Sequence, residues 1–101
     1  MVHLILLIQF SSNPKSKHYY DFESISDAVK HICTLYEEKL KKINQKVPYI
    51  TYDIMNLYQY VDELQDCSML VDRGDGRNYI AYPKLWVKQK IFHILRHEVP
   101  E

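Results

Sequence analysis

Five side chains come nearest to the spacing that catalysis or metal binding requires. His93 and His97 are four residues apart, so on a helix their imidazoles share one face and could hold a metal ion. No acidic residue or further histidine is placed with them, and we interpret both as solvated residues near a helix end. Asp62, Glu63 and Asp66 could act as acid and base, but no nucleophile, glycine-rich loop or nearby histidine accompanies them. We expect an exposed acidic turn, and neither a metal, a cofactor nor an enzymatic activity.

A set of basic side chains towards the C-terminal end could contact RNA. The set comprises Lys84, Lys88, Lys90 and Arg96. Cations near the end of a helix also stabilise it through the helix dipole, without any ligand. Thirteen Lys and Arg balance thirteen Asp and Glu among the 101 residues, and this neutrality disfavours a protein that binds phosphate backbones by bulk charge. Direct RNA binding through a basic C-terminal helix is therefore the alternative, and protein binding the preferred hypothesis.

The cysteines and the first apolar segment indicate the cellular context. Cys33 and Cys67 lie far apart without C-x-x-C spacing, so we expect neither a disulfide framework nor a structural zinc site, and a reducing compartment is favoured. The apolar run 2–8 is too short to span a bilayer and lacks a basic leader and a cleavage site. We interpret it as a buried strand and expect no membrane association. Without a secretion signal, Arg73-Gly74-Asp75 is expected to be turn chemistry and not an adhesion motif.

Seven elements are predicted to position these residues within a single domain, 1–101, because a chain of about 100 residues usually forms one core. Apolar and aromatic runs separated by turn-rich segments predict two β-hairpins, and apolar residues at helical spacing predict three helices. The predicted elements are strands at 4–8, 18–22, 67–71 and 79–82, and helices at 25–43, 54–64 and 83–97. The order β-β-α-α-β-β-α indicates an α+β fold, with three amphipathic helices on one face of a four-stranded antiparallel sheet.

The first strand is apolar on both of its sides, and one layer of helices can cover only one of them. The even-numbered residues of 4–10 are all apolar, while the odd-numbered ones combine Ile5 and Leu7 with polar neighbours. We assign the odd-numbered set to the face away from the helices. A second copy of the chain is expected to cover it about a two-fold axis, the alternative being a loop or helix of the same chain. The predicted homodimer interface comprises His3, Ile5, Leu7, Gln9, Leu70 and Tyr79.

Short stretches along the whole chain form a joint pattern that is specific, although each stretch alone is weak. They are Ile5-Leu6-Leu7 with Gln9, Glu23-Ser24, Tyr36-Glu37-Glu38 with Leu40-Lys41, Ile50-Thr51-Tyr52-Asp53-Ile54, Asp62, Leu64, Asp66, Ser68, Leu70-Val71, Tyr79, Tyr82, Lys84, Trp86, Lys88, Lys90 and Ile91. In this pattern the sequence resembles the enhancer of rudimentary homolog family. The resemblance implies a small α+β protein whose sheets pair face to face as a homodimer, with the apolar positions of the first strand in the interface.

The resemblance also implies a function and a location. Family members are non-enzymatic hubs that dock short segments of nuclear RNA-processing, splicing and RNA-decay proteins, with ties to transcription, pyrimidine metabolism and cell division. The expected location is the nucleus, with the cytoplasm as a second one. Ser24 matches a serine regarded as a casein kinase II site, and Asp27 supplies the acidic residue three positions on. A plain helix cap is the alternative interpretation of Ser24.

Four positions depart from the family pattern. His18 stands where relatives often have a phosphorylatable Thr, and Leu85 stands where an acidic residue is usual. Asp72 replaces a common aromatic residue, and Ala81 replaces a common Pro. The last two lie on the second predicted hairpin, so a partner that docks there in relatives is not expected to carry over.

Overall fold

The structure, a computed structural model, describes residues 3–46, 51–74 and 77–98, with side chains described as far as Arg96. The predicted order β-β-α-α-β-β-α is confirmed. The elements are β1 (Leu4–Gln9), β2 (Lys17–Phe22), α1 (Ile25–Ile43), α2 (Ile54–Glu63), β3 (Asp66–Asp72), β4 (Tyr79–Tyr82) and α3 (Lys84–Glu98). A single 3₁₀ turn, Pro14–Ser16, lies between β1 and β2. None of the helices within the described ranges is both long and apolar enough to cross a membrane.

The four strands form one antiparallel sheet in the order β2-β1-β3-β4. The central pair is therefore β1 and β3, and β2 and β4 are the edges. In the register of β1, Leu4 lies opposite Phe22 on one side and Val71 on the other. Because directly paired residues point to the same face, this register decides which side chains share each face of the sheet.

Short polar side chains fix the starts of the first two helices. Ser24 Oγ accepts a hydrogen bond from the backbone N–H of Asp27 at 3.0 Å. Asp53 and Asn56 form a reciprocal capping box, in which each side chain accepts from the backbone N–H of the other at 2.9 and 3.0 Å. These bonds satisfy N–H groups that a helix leaves without internal partners. The third helix begins at Lys84, one residue later than predicted. Pro83 lies just before it, and its carbonyl accepts from the N–H of Val87 at 3.1 Å.

The hydrophobic core lies between one face of the sheet and the helices. The even-numbered residues of β1 and the matching residues of β3 meet the inward sides of all three helices there. The fully buried core side chains are Leu4, Leu6, Ile8, Ala28, Val29, Ile32, Leu57, Val61, Cys67, Met69, Val87 and Ile91. No polar or charged residue of the described ranges is buried in this core. Burial raises the pKa of the Cys67 thiol to about 12, so this thiol is expected to act as a small apolar side chain and not as a nucleophile.

One imidazole packs against aromatic rings beside the core. His31 on α1 contacts the rings of Tyr20 and Phe22, with ring centroids 4.3 and 5.5 Å away. Its Nε2 atom is buried and has no hydrogen-bond partner in the described part of the chain. Burial lowers the pKa of His31, and the nearby Glu38 opposes this effect. The packing therefore favours the neutral ring.

The opposite face of the sheet carries no second layer from the described part of the chain. The thinnest dimension of the molecule is 19 Å, and a helix of about 10 Å diameter stacked on a sheet about 10 Å away accounts for that thickness. All three helices contribute to the single core described above. The uncovered side, hereafter the open face, is therefore the candidate functional surface.

Candidate interface on the open sheet face

The strand register gathers the predicted interface residues on the open face. Ile5 lies opposite Leu70 of β3, and Leu70 in turn lies opposite Ala81 of β4. Leu7 lies opposite Ser68, and Gln9 continues the same alternation along β1. The carbonyl of His3 accepts from the N–H of Asp72 at 2.9 Å, and Asp72 is paired with Tyr79. The structure thus brings together His3, Ile5, Leu7, Gln9, Leu70 and Tyr79.

The centre of the open face is apolar and partly accessible. Ile5, Leu7 and Leu70 are half-buried in the single chain, whereas their neighbours Leu4 and Leu6 are fully buried on the other side of the sheet. Neighbouring strands and side chains shield part of each of these three side chains, and solvent reaches the rest of it. An apolar patch on the two central strands of a sheet, open to solvent, is typical of surfaces that bind another protein.

Sequence reasoning missed the contribution of β2 to this face. Tyr19 lies opposite Leu7 and is 61% exposed, which makes it the most accessible large apolar side chain of the open face among the described residues. The signal that could have found it is the pairing of the first hairpin. The connection 10–16 is long, and a long connection does not fix the register as a two-residue turn would.

A hydrogen-bonded triplet borders the apolar patch. His3 Nδ1 lies 2.6 Å from Tyr79 Oη, and His3 Nε2 lies 3.0 Å from Asp21 Oδ1. Because a carboxylate only accepts, Nε2 donates to Asp21, and Nδ1 of a neutral ring accepts from the Tyr79 hydroxyl. Both ring nitrogens of His3 are therefore engaged within the triplet. The triplet therefore joins the residue before β1 to β2 and β4 along one edge of the patch.

The four basic residues of α3 do not form one continuous face. Lys84 Nζ donates to the backbone carbonyls of Asp62 and Leu64 at 3.2 and 2.7 Å. Lys88 Nζ lies 3.0 Å from both carboxylate oxygens of Asp62. These two cations attach α3 to the end of α2. The other two residues of the predicted basic set, Lys90 and Arg96, are not engaged at the end of α2. The basic surface available to RNA is therefore smaller than the sequence predicts.

The predicted acidic cluster is divided among different contacts. Asp62 pairs with Lys88 as described, and Glu63 lies 3.8 Å from Lys39 Nζ. Asp66 begins β3, opposite Gln9 of β1. Both Asp62 and Glu63 are exposed, as expected. Their carboxylates serve as ion-pair partners between elements and do not converge on a common point.

The remaining sequence candidates have separate positions. Among the side chains that the structure describes, no group of three or more His, Cys, Asp or Glu could hold a metal ion. His93 is exposed, and the side chain of His97 lies outside the described residues. Gly74 adopts a positive φ of 105°, which glycine tolerates at a turn, while Asp75 lies outside the described residues. Ser24 is the half-buried N-cap of α1, and its phosphorylation stays a prediction.

An apolar groove lies where α1, α2 and the end of β1 meet. Its volume is about 490 Å³. Its apolar lining consists of Phe10, Leu35, Ile43, Tyr60 and Leu64. The groove is open along one side and has charged groups at its margin, among them Lys39, whose ammonium lies 5.4 Å from the ring centroid of Tyr60. Such a shape suits a few side chains of an extended or helical segment.

Comparison with known proteins gives consistent relationships over the length of the chain. The family model "Enhancer of rudimentary" matches residues 1–101. The protein enhancer of rudimentary of Drosophila virilis is 42% identical over 96 residues, which cover 95% of this chain and 92% of that protein. The Arabidopsis thaliana homolog is 43% identical over 94 residues, covering 93% and 86%. Homolog 1 of Schizosaccharomyces pombe is 32% identical over 85 residues, covering 84% and 78%. The chain therefore belongs to the enhancer of rudimentary family.

Proposed function

We propose that the protein is a homodimeric, non-enzymatic adaptor, which docks short segments of nuclear RNA-processing, splicing and RNA-decay proteins and so acts in gene expression and the cell cycle. The observation that carries the proposal is the apolar open face around Ile5, Leu7 and Leu70. Family membership supports the partner class and the nuclear location, because the resemblance implies both.

The shape of the sheet favours self-association over a different partner at the open face. A second copy presents the same apolar centre, so a two-fold axis near Ile5 and Leu7 places apolar side chains against apolar side chains. The same rotation places polar residues at the margin, among them His3 and Gln9, where water can reach them. Each residue then contributes twice, once from each copy. A homodimer therefore covers the patch without requiring another complementary protein.

The outer surfaces of such a dimer would be available for docking. The groove between α1 and α2 lies on the helical side of the sheet, so pairing through the open face leaves it accessible. A dimer would carry two such grooves, and a partner with two binding segments would gain avidity without new contacts. Tyrosines in and near the groove supply contact area at a small cost in side-chain entropy.

The dimer is tested by introducing charge at the centre of the open face. Ile5→Arg combined with Leu7→Arg would bury two unpaired guanidinium groups in each copy, at a cost of several kcal/mol. We expect sedimentation velocity to show a single-chain mass of 12.2 kDa or insoluble protein. The matched control is Met55→Arg with Leu85→Arg, which adds the same charge at residues that are 65% and 64% exposed on helices. An intact dimer for the open-face variant would reject the proposal.

The adaptor role is tested separately by identifying what the protein retains. The full chain is immobilised and exposed to nuclear extract, and the bound proteins are reduced to overlapping synthetic peptides for direct titration. We expect short peptides from RNA-processing proteins to bind with little dependence on salt. The alternative, direct RNA binding through α3, predicts an affinity for RNA that falls steeply as salt increases. Tight, salt-sensitive RNA binding without peptide binding would replace the adaptor by the alternative.

A further inference from the structure

The outer side of α3 carries a regular stripe of exposed residues in which apolar and polar side chains alternate. Leu85, Gln89, Phe92 and Arg96 follow at intervals of four, three and four residues, which places them along one side of the helix. Leu85 is 64% exposed and Phe92 is 40% exposed. Val87 and Ile91, on the other side of α3, are fully buried in the core. The stripe therefore points away from the core, and it is not needed to hold the helix in place.

Two cations, Lys90 and Arg96, lie in or beside this stripe and are held against aromatic rings. The Arg96 guanidinium lies over the Phe92 ring at 5.8 Å, and the Lys90 ammonium lies over the Trp86 ring at 5.1 Å. Within the segment 84–96 there is no Asp or Glu. Among the side chains that the structure describes, no carboxylate forms an ion pair with Lys90 or Arg96. The aromatic rings hold both cations against the helix and leave them able to attract an anionic ligand.

We propose that this outer face of α3, defined by Leu85, Gln89, Phe92 and Arg96 and bordered on one side by Trp86 and Lys90, binds an acidic amphipathic segment of a partner protein. Leucine or aromatic residues of that segment would cover Leu85 and Phe92, and its carboxylates would pair with Lys90 and Arg96. Helical spacing of the stripe fits a segment that presents apolar residues at intervals of three and four. The binding rests on the adaptor function proposed above, and it specifies the chemistry of one partner class.

Charge and exposure favour this occupant over two others. A second copy of the chain packed through α3 would place Lys90 and Arg96 against a helix segment, 84–96, that is equally basic and has no Asp or Glu, and like charges at an interface disfavour association. A nucleic acid gains affinity mainly from many phosphate contacts, whereas only two cations of the predicted basic set are directed outwards here. An exposed leucine at the start of the stripe adds apolar surface that a phosphate backbone would not cover.

The outer face of α3 and the open sheet face are on opposite sides of the molecule. The buried side of α3 packs on the helix-covered face of the sheet, so pairing of two sheets would not cover Leu85 or Phe92. A substitution at Leu85 should therefore leave the dimer intact. This separation makes it possible to lose one kind of binding while the other is kept.

The test selects ligands from a random twelve-residue peptide display library against the full-length protein. We expect selected peptides to be enriched in Asp and Glu together with Leu, Phe or Trp. Their affinities are then measured by titration with Leu85→Gln, Arg96→Gln and, as matched control, Met55→Gln, which alters an apolar residue that is 65% exposed on α2. Ile43→Gln is measured beside them because Ile43 lines the α1–α2 groove. Leu85→Gln should weaken binding about tenfold, which corresponds to losing the burial of one leucine side chain. Arg96→Gln should weaken it about threefold to fivefold and reduce its salt dependence, and Met55→Gln should change it less than twofold.

Several results would overturn the proposal. Selected peptides that lack acidic enrichment, or whose affinity is unchanged by Leu85→Gln, would reject it. Peptides weakened only by Ile43→Gln would place docking in the α1–α2 groove, so the adaptor function would stand and the α3 site would fail. If an oligouridylate RNA bound instead and lost affinity with Arg96→Gln but not with Leu85→Gln, the outer face of α3 would be a nucleic-acid surface. If Leu85→Gln sedimented with a lower mass than the unsubstituted protein, the outer face of α3 would be a surface for self-association.

Discussion

Leu6 and Leu7 are neighbours in β1 and separate two contributions to stability. Leu6 is fully buried beneath the helices, and Leu7 is half-buried on the open face. Replacing each with alanine removes the same atoms from opposite sides of the same strand. We expect Leu6→Ala to weaken the fold and Leu7→Ala to weaken the dimer. The pair controls for strand propensity, since both changes are Leu→Ala in adjacent central positions.

The magnitudes follow from the two environments. Leu6→Ala leaves a cavity in a packed core and should cost about 2–5 kcal/mol, which lowers the midpoint of thermal unfolding by about 10 °C or more. Leu7→Ala removes about 1 kcal/mol of burial from each copy, since its side chain is already partly shielded before association. A two-fold axis doubles this loss to about 2 kcal/mol, which corresponds to a dimer dissociation constant about 30-fold higher.

Sedimentation equilibrium gives the dissociation constants, and urea denaturation at several protein concentrations gives the unfolding free energies. For Leu7→Ala we expect most of the loss of unfolding free energy to disappear once the contribution of dimer dissociation is subtracted. For Leu6→Ala we expect the loss to persist after that correction. Equal dissociation constants for Leu7→Ala and the unsubstituted protein would refute the assignment of the open face.

Three further substitutions test individual contacts. Because burial lowers the pKa of His31, the unfolded chain takes up its proton first and stability falls as the pH drops below about 6.5. His31→Phe should therefore make the unfolding free energy decline less between about pH 7 and pH 5, as measured by urea denaturation at each pH. An unchanged slope would contradict this account. Asp53→Ala should cost about 1 kcal/mol by removing the α2 cap, whereas Thr51→Ala, in the exposed segment before it, should stay within about 0.5 kcal/mol in the same assay. Lys84→Met should cost about 1–2 kcal/mol because two carbonyls at the end of α2 lose their donor, and Lys90→Met should stay within about 0.5 kcal/mol. Equal losses for the two lysines would show that Lys84 has no structural role.

Much of the fold could be predicted because local signals agree with the overall arrangement. Ser24 and Asp53 are residues that favour helix starts, and each is the N-cap of the predicted helix. The predicted first helix, 25–43, has the bounds that the structure gives. Apolar residues at both parities of β1 predicted a sheet with one face beyond the reach of the helices. These features depend on short stretches of chain, in which propensity and periodicity act directly.

The side-chain contacts of the candidate site required the structure. His3 and Tyr79 are 76 residues apart and meet only through the pairing of three strands. The position of Tyr19 depends on the register of a hairpin with a long connection. The rotation of α3 about its axis decides whether Lys84 and Lys88 reach α2 or extend into solvent. Core packing sets that rotation. Sequence pattern alone could not distinguish these lysines from Lys90.

The most direct test of the central claim is the mass of the unsubstituted protein in solution. Sedimentation equilibrium at micromolar concentrations and above should give twice the single-chain mass of 12.2 kDa, with dissociation only on dilution. A single-chain mass throughout that range would mean that the apolar open face needs no second copy, and the homodimeric adaptor would have to be abandoned.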